Sequence, residues 1–67
     1  MDKEYVQKNQ AAFKYLFRLQ MSGRTNMFGA AAYLQSERGI NKTEARELLM
    51  YWMNNYEEIA KELNIEI

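Results

Sequence analysis

The residue types that most enzymes use as nucleophiles, bases and metal ligands are largely missing from this chain. It contains no histidine and no cysteine, which excludes imidazole bases, thiolate nucleophiles, Ser-His-Asp arrangements and zinc sites built on cysteine. Closely spaced carboxylates remain, at Glu44 and Glu47, at Glu57 and Glu58, and at Glu58 and Glu62. Such pairs do acid–base chemistry only where their surroundings separate their pKa values, and these glutamates lie largely off the apolar positions. We therefore predict no catalytic, cofactor-binding or metal-binding residue and no enzyme activity.

Basic residues offer a different chemistry, contact with nucleic acid. The stretch from Ala31 to Leu49 has the pattern of a helix, a turn centred on Gly39 and a second helix, which resembles a helix-turn-helix. In this interpretation the start of the second helix faces the major groove, while basic residues elsewhere contact phosphates. The groove residues would be Lys42, Thr43 and Arg46, and the phosphate contacts Lys14, Arg18, Arg24 and Arg38. Glu44 and Glu47 oppose this interpretation, because they cancel the positive charge of the first two turns.

The stretch Ser22–Asn26 combines two hydroxyl groups with Arg24 immediately before a predicted helix. Backbone N–H groups at a helix start can bind a phosphate or a carboxylate. The same residues also serve as ordinary helix caps, and the stretch lacks the longer glycine-rich loop of a P-loop. Both interpretations stay open, and capping is favoured.

Aromatic and methionine residues indicate a third possibility, a protein interface. The chain has nine aromatic residues and five methionines, more than one small core can hide, and such residues at a surface are typical of interfaces. The expected interface residues are Tyr33, Met50, Tyr51, Met53, Tyr56, Ile59 and Leu63. We predict a non-enzymatic accessory protein that acts by protein–protein contact, as a homo-oligomer and most simply a two-fold dimer. A helix-turn-helix regulator that binds nucleic acid is the alternative.

Length and composition favour one ordered helical domain over residues 1–67. Of the 67 residues, 48% are hydrophobic and 27% charged, values typical of globular proteins. We expect no membrane span and no signal peptide, and the absence of cysteine fits the cytoplasm. The net charge is zero, but residues 1–46 carry eight basic and four acidic residues, whereas residues 47–67 carry one basic and five acidic residues. A basic part is thus followed by an acidic end.

Three helices are expected to position these residues, near 3–21, 26–38 and 42–63. Gly23 and Gly39 are expected to end the first two helices in the left-handed conformation, and Thr25 or Asn26 is expected to cap the second. We expect Gly29 to allow a close approach of another helix. The third helix has the clearest start, because Asn41 and Glu44 form a capping-box pattern, with Ile40 and Ala45 as a hydrophobic staple.

The third helix would be about 33 Å long if it continued to residue 63, longer than a core of this size can cover. Either it breaks at Asn54–Asn55, where Asn55 and Glu58 form another capping-box pattern, or its end projects and pairs with a second chain. Its apolar residues are expected in a small core in preference to a coiled coil. The expected core is Val6, Phe13, Leu16, Phe17, Met27, Ala31, Leu34, Ile40, Ala45, Leu48, Leu49, Trp52 and Tyr56. The fold class is therefore all-α, a small three-helix bundle.

One stretch of the chain resembles a known group of proteins. The stretch Thr25-Asn26-Met27-Phe28-Gly29-Ala30, followed by Tyr33-Leu34, Gly39-Ile40, Glu44-Ala45-Arg46 and Trp52-Met53, is similar to a pattern in small uncharacterised bacteriophage proteins. The resemblance covers about residues 16 to 56. It implies a viral or prophage origin, a compact helical accessory protein in the host cytoplasm, and a host or phage protein as partner. It brings no known activity, cofactor or site residue with it.

Overall fold

The computed structural model of the chain describes residues 1–26 and 29–66, and every regular element within those ranges is a helix. The helices are α1 (Lys3–Lys8), α2 (Gln10–Ser22), α3 (Ala30–Arg38), α4 (Lys42–Asn54) and α5 (Tyr56–Glu62). α3 packs mainly on α4 and α2, while α1 and α5 lie against each other. The predicted all-α bundle is confirmed, but two of its three expected helices are each divided in two.

The first division falls at Asn9, where a single helix over residues 3–21 was expected, so that prediction is wrong. The Asn9 backbone leaves the helical conformation at φ −108° and ψ 22°. Its side-chain Nδ2 donates to the carbonyl oxygen of Tyr5 at 3.0 Å, and its backbone N–H donates to the same oxygen at 3.1 Å. Asparagine side chains compete in this way with the helical hydrogen-bond pattern. α1 and α2 are therefore separate helices, and Val6 of α1 is buried.

The second division falls at Asn55, so of the two alternatives left open for the third helix the break near Asn54–Asn55 is the one observed. Asn55 repeats the geometry of Asn9: its φ is −129°, its ψ is 29°, and its Nδ2 donates to the carbonyl oxygen of Tyr51 at 3.0 Å. The expected capping box with Glu58 is not formed, since the Asn55 side chain makes no cap hydrogen bond to α5. The largest extent of the Cα positions is 25 Å, shorter than an unbroken helix of about 33 Å. The break therefore turns α5 back onto the chain, where Ile59 and Ala60 are buried.

The core joins all five helices. Nine of the expected core residues are buried, namely Val6, Phe13, Leu16, Phe17, Leu34, Ala45, Leu48, Leu49 and Trp52. Ala31, Ile40 and Tyr56 are half-buried against them, and Met27 lies outside the described residues. The buried residues missing from the expected core are Ala12, Leu19, Ala30, Ile59 and Ala60. Three of these five are alanines, and Ile59 and Ala60 lie in α5. The periodicity of the sequence does not show where α5 packs.

Six aromatic residues stabilise the core in two groups of three. Phe17, Trp52 and Tyr56 join α2, α4 and α5, with ring centroids 5.1 to 5.3 Å apart. Tyr5, Phe13 and Tyr51 join α1, α2 and α4, with the Tyr5 and Tyr51 centroids 4.7 Å apart. Such tilted and edge-on pairs add to the free energy gained by burying the rings.

The predicted start of α4 is confirmed. Gly39 ends α3 at φ 63°, a conformation that costs other residues energy, and its backbone N–H donates to the Gln35 carbonyl oxygen at 2.9 Å. The Glu44 backbone N–H donates to Asn41 Oδ1 at 2.8 Å. The Glu44 carboxylate accepts from the Asn41 side chain at 3.0 Å, whereas the usual capping box uses the backbone N–H of the cap residue.

The loop before α3 differs from expectation at Gly29. A Cβ atom built on Gly29 would lie 2.5 Å from Thr25 Oγ1, so the group that approaches Gly29 is a nearby side chain of the same loop. Asn26 Oδ1 accepts a hydrogen bond from the Gly29 backbone N–H at 3.0 Å. However, α3 itself begins at Ala30 with Gly29 as its cap residue and without a side-chain cap, so the expected cap of this helix by Thr25 or Asn26 is not formed. A side chain at position 29 would therefore have to displace the Thr25 side chain, and the atoms nearest to Gly29 belong to its own loop and not, as expected, to a second helix.

Candidate protein-interaction surface

Two large apolar side chains are exposed on the outer face of α4, the face that points away from the core. Ala45, Leu48, Leu49 and Trp52 recur at helical spacing and are buried. Met50 and Met53 lie outside this stripe, and 58% and 44% of their surface is exposed. Since α4 is capped at its start and buried along one face, these methionines project from a rigid support.

An open groove of about 510 Å³ runs beside this face. It is lined by Tyr5, Thr43, Arg46, Glu47, Met50 and Tyr51. Two aromatic rings and a methionine form its apolar part, and Arg46 and Glu47 add one charge of each sign to its lining. The groove can therefore accept an apolar side chain flanked by polar or charged groups.

The chain start holds α1 at this groove. Asp2 caps α1 by accepting from the Tyr5 backbone N–H at 3.1 Å, and its own backbone N–H donates to the Tyr51 hydroxyl at 2.8 Å. Gln7 Nε2 donates to the Glu62 carboxylate at 2.8 Å, and the terminal amino group lies 3.9 Å from the Glu58 carboxylate. These contacts keep the Tyr5 ring on the Tyr51 ring.

The groove changes the acidity of Tyr5. Burial raises the pKa of the Tyr5 hydroxyl above its ordinary value of 10.0, and the nearby Glu47 carboxylate and Tyr51 raise it further. Both causes disfavour the negatively charged phenolate. Tyr5 is therefore a neutral hydrogen-bonding group at the groove in the physiological pH range.

The structure separates the seven expected interface residues into two groups. Tyr33, Met50 and Met53 are exposed. Tyr51, Tyr56 and Leu63 are half-buried against the chain's own core, and Ile59 is completely buried within it. The expectation of a surface position is wrong for Ile59, because α5 turns back and needs this side chain to cover the core.

All seven candidate nucleic-acid contacts are exposed, but they are distributed over several segments. Lys42, Thr43 and Arg46 lie in the first two turns of α4, next to the exposed Glu44 and Glu47. The others are Lys14 and Arg18 on α2, Arg24 after its end, and Arg38 at the end of α3. Arg38 lines a separate cavity of about 120 Å³ together with Lys8 and Glu44. Two helices, α3 and α4, thus flank the turn at Gly39 as expected, but the surface of the second helix carries both signs of charge.

Polar residues at the other candidate sites are used for local contacts. The Ser22 hydroxyl donates to the Leu19 carbonyl oxygen at 2.7 Å and accepts from the Arg24 backbone N–H at 3.3 Å. Asn26 accepts from the Gly29 backbone N–H, so Ser22 and Asn26 are used for local contacts, while the Arg24 side chain is exposed. Among the residues in ranges 1–26 and 29–66, no three acidic side chains come together as a metal site would require.

Tyr5 is the groove residue that sequence reasoning missed. It lies 46 positions before Tyr51, and only the folding of α1 onto α4 brings the two rings together. No described helix is long and apolar enough to cross a membrane. No protein family, curated sequence or solved structure matches this chain. The resemblance to bacteriophage proteins therefore stays a prediction.

Proposed function

We propose that this chain is a small non-enzymatic accessory protein that acts in the cytoplasm by protein–protein contact through the outer face of α4. The observation that carries the proposal is the exposure of Met50 and Met53 beside the Tyr5–Tyr51 groove. Methionine and tyrosine supply large, adaptable contact surfaces. A viral or prophage origin, with a host or phage protein as partner, is part of the same proposal.

Three properties of the surface support this function. The groove combines two aromatic rings and a methionine with one charge of each sign, and aromatic residues, methionine and arginine are enriched at interfaces. Its walls are held by the cap of α4 and by the hydrogen bond from Asp2 to Tyr51, so little conformational entropy is lost on binding. A chain of this size also has a small core and gains stability from association.

The test uses one glutamate substitution on this face and a matched one elsewhere. Met50→Glu introduces a charge beside the groove, whereas Met21→Glu introduces the same charge on α2, where 74% of Met21 is exposed. Self-association is measured by light scattering at micromolar concentration. Partner proteins captured from a lysate of the producing cells are identified by mass spectrometry. We expect Met50→Glu to weaken association about thirtyfold, the effect of losing a hot-spot residue, and Met21→Glu to leave it unchanged.

Equal association of the wild-type chain and both variants would contradict the proposal. Circular dichroism spectra and melting temperatures of the two variants must match that of the wild type, so that unfolding does not mimic loss of binding. Since both substitutions replace exposed methionines, we expect both variants to fold.

The corner between α3 and α4 favours a second candidate function, nucleic-acid binding. Gly39 adopts the left-handed conformation that the turn needs, and Lys42, Thr43 and Arg46 are exposed at the start of the second helix. A DNA-binding chain would shift a duplex in a gel at low salt, weaken steeply as salt rises, and lose affinity on Lys42→Ala or Arg46→Ala. No shift at any salt concentration would eliminate this candidate.

A further inference from the structure

The outer face of α4 is divided into two complementary sides. Thr43 and Met50 are seven residues apart and lie on one line along the helix, because 3.6 residues make a turn. Arg46 and Glu47 lie on opposite sides of this line, about 50° from it in each direction. All four residues line the same groove, so the exposed face has a cationic side and an anionic side.

Each side also carries its own apolar group. Met53 follows Arg46 by seven residues and extends the cationic side. Tyr51 follows Glu47 by four residues and extends the anionic side, where the Tyr5 ring packs on it. One side therefore offers a cation and a methionine, and the other offers a carboxylate and two aromatic rings. Arginine with carboxylate and methionine with aromatic rings are both favourable pairs.

We infer that this face binds a second copy of the chain, with the two α4 helices parallel about a two-fold axis that runs along them. This inference rests on the proposed function and names its partner. A parallel two-fold pair places the Arg46 side of each copy against the Glu47 side of the other. Along the helix axis, Arg46 of one copy is then offset from Glu47 of the other by about 1.5 Å, and Met53 from Tyr51 by about 3 Å. Both complementary contacts form twice.

The antiparallel arrangement is disfavoured by the same charges. A two-fold axis perpendicular to α4 brings equivalent sides together, so the Arg46 sides would face each other and the Glu47 sides would face each other. Like charges at an interface oppose association. The parallel arrangement is therefore the isologous dimer that fits this distribution of charge.

Charge reversal in the full chain tests the pairing. In the parallel dimer, Arg46→Glu brings two carboxylates together at each contact, and Glu47→Arg brings two guanidinium groups together. Each single variant is expected to raise the dimer dissociation constant about tenfold, measured by sedimentation equilibrium. In an equimolar mixture, a dimer with one copy of each variant places opposite charges at both contacts. A dimer of two copies of the double variant R46E/E47R does the same. Both are expected to restore the wild-type constant, and the control Arg18→Glu on α2 is expected to leave it unchanged.

The direction of the helices is tested by cross-linking, because the chain contains no cysteine. Thr43→Cys and Asn54→Cys each place one thiol near one end of α4. In the parallel dimer, each variant oxidises to a disulfide-linked dimer on its own. In the antiparallel dimer, the thiol of one variant meets the thiol of the other, and cross-links form mainly in the mixture of the two.

Three results would overturn the inference. They are a wild-type chain that stays monomeric up to about 1 mM, single charge reversals that leave the dimer unchanged, and cysteine cross-links that form only in the mixture. The proposed function fails separately, when Met50→Glu and Met21→Glu behave alike in both association measurements. A monomeric chain whose bound partner is lost on Met50→Glu alone would therefore refute the dimer and support the proposed function.

Discussion

The inner and outer faces of α4 are built from similar residues but meet different surroundings. On the inner face Leu49 and Trp52 are buried against α2, α3 and α5, whereas on the outer face Met50 and Met53 remain exposed. All four are large and apolar, so residue type alone does not separate the two faces. Their position around the helix decides which side chains stabilise the fold and which are left for contact with another protein.

The largest effect is expected from removing the indole ring on the inner face. Trp52→Ala should lower the free energy of unfolding by about 3–5 kcal/mol, measured by urea denaturation followed by circular dichroism. The Trp52 indole N–H is buried and has no acceptor among the described residues. Trp52→Phe keeps most of the ring contacts and removes this N–H, so it should cost clearly less. Equal losses for the two variants would contradict this account of the inner face.

Overfilling the inner face should have the next largest effect. Ala45 is completely buried, and Ala45→Leu is expected to cost about 1–3 kcal/mol of stability because the core has no room for three further carbon atoms. Ala32→Leu is the matched control, since Ala32 is an exposed residue of α3. Similar melting temperatures for the two variants would show that α4 is not packed as described.

The cap of α4 supports both faces and should contribute less than the core. Asn41→Ala removes the acceptor of the Glu44 backbone N–H and is expected to cost about 1 kcal/mol. Asn54→Ala, which changes an exposed asparagine at the other end of α4, is the control in the same urea experiment. An Asn41→Ala variant as stable as this control would leave the start of α4 without an explanation.

Tyr5 of α1 packs on Tyr51 beside the outer face of α4, and its pKa predicts a weaker, pH-dependent effect on stability. Its pKa is raised in the folded chain, so the fold favours the neutral phenol. This contribution to stability is complete below the ordinary value of 10.0 and is lost as the pH rises through the raised value. Urea denaturation from pH 8 to pH 11 should therefore show a steeper decline for the wild type than for Tyr5→Phe. Parallel declines would be inconsistent with the shift.

The outer face should show the smallest change in stability. Met53→Gln is expected to alter the free energy of unfolding by less than about 0.5 kcal/mol, because the side chain is 44% exposed and leaves no cavity. Its melting temperature is compared with that of Leu49→Gln, which places the same amide on the inner face. If both substitutions destabilise the chain equally, the distinction between the two faces fails.

The parts of the fold that depend on nearby residues were predictable. Gly39 was expected to end α3, and Asn41 and Glu44 were expected to cap α4, because each signal lies within a few residues of the boundary. A break at Asn54–Asn55 was one of two alternatives, because an unbroken third helix would have been too long for the core. The break at Asn9 uses the same hydrogen bond but lies among polar residues that are equally compatible with a continuous helix.

The parts that depend on distant residues were not predictable. Ile59 continues the apolar stripe of α4, and its burial depends on the angle between α4 and α5. The groove needs Tyr5 to meet Tyr51 across most of the chain, and no short-range signal encodes that contact. Met50 was expected at the surface because it lies outside the stripe, and Met53 was expected at an interface although it widens the stripe. The candidate site was therefore predictable on α4 and unpredictable on α1.

Trp52 also makes the molecule its own optical reporter. It is the chain's one tryptophan, and its ring is held between Phe17 and Tyr56. A ring fixed in this way gives a near-ultraviolet circular dichroism signal that vanishes when side-chain packing loosens, even while the helices persist. Because its partners lie on α2 and α5, detachment of α5 alone should change the indole signal before the helical signal falls. The wild-type chain therefore needs no added label for this loss of packing to be followed.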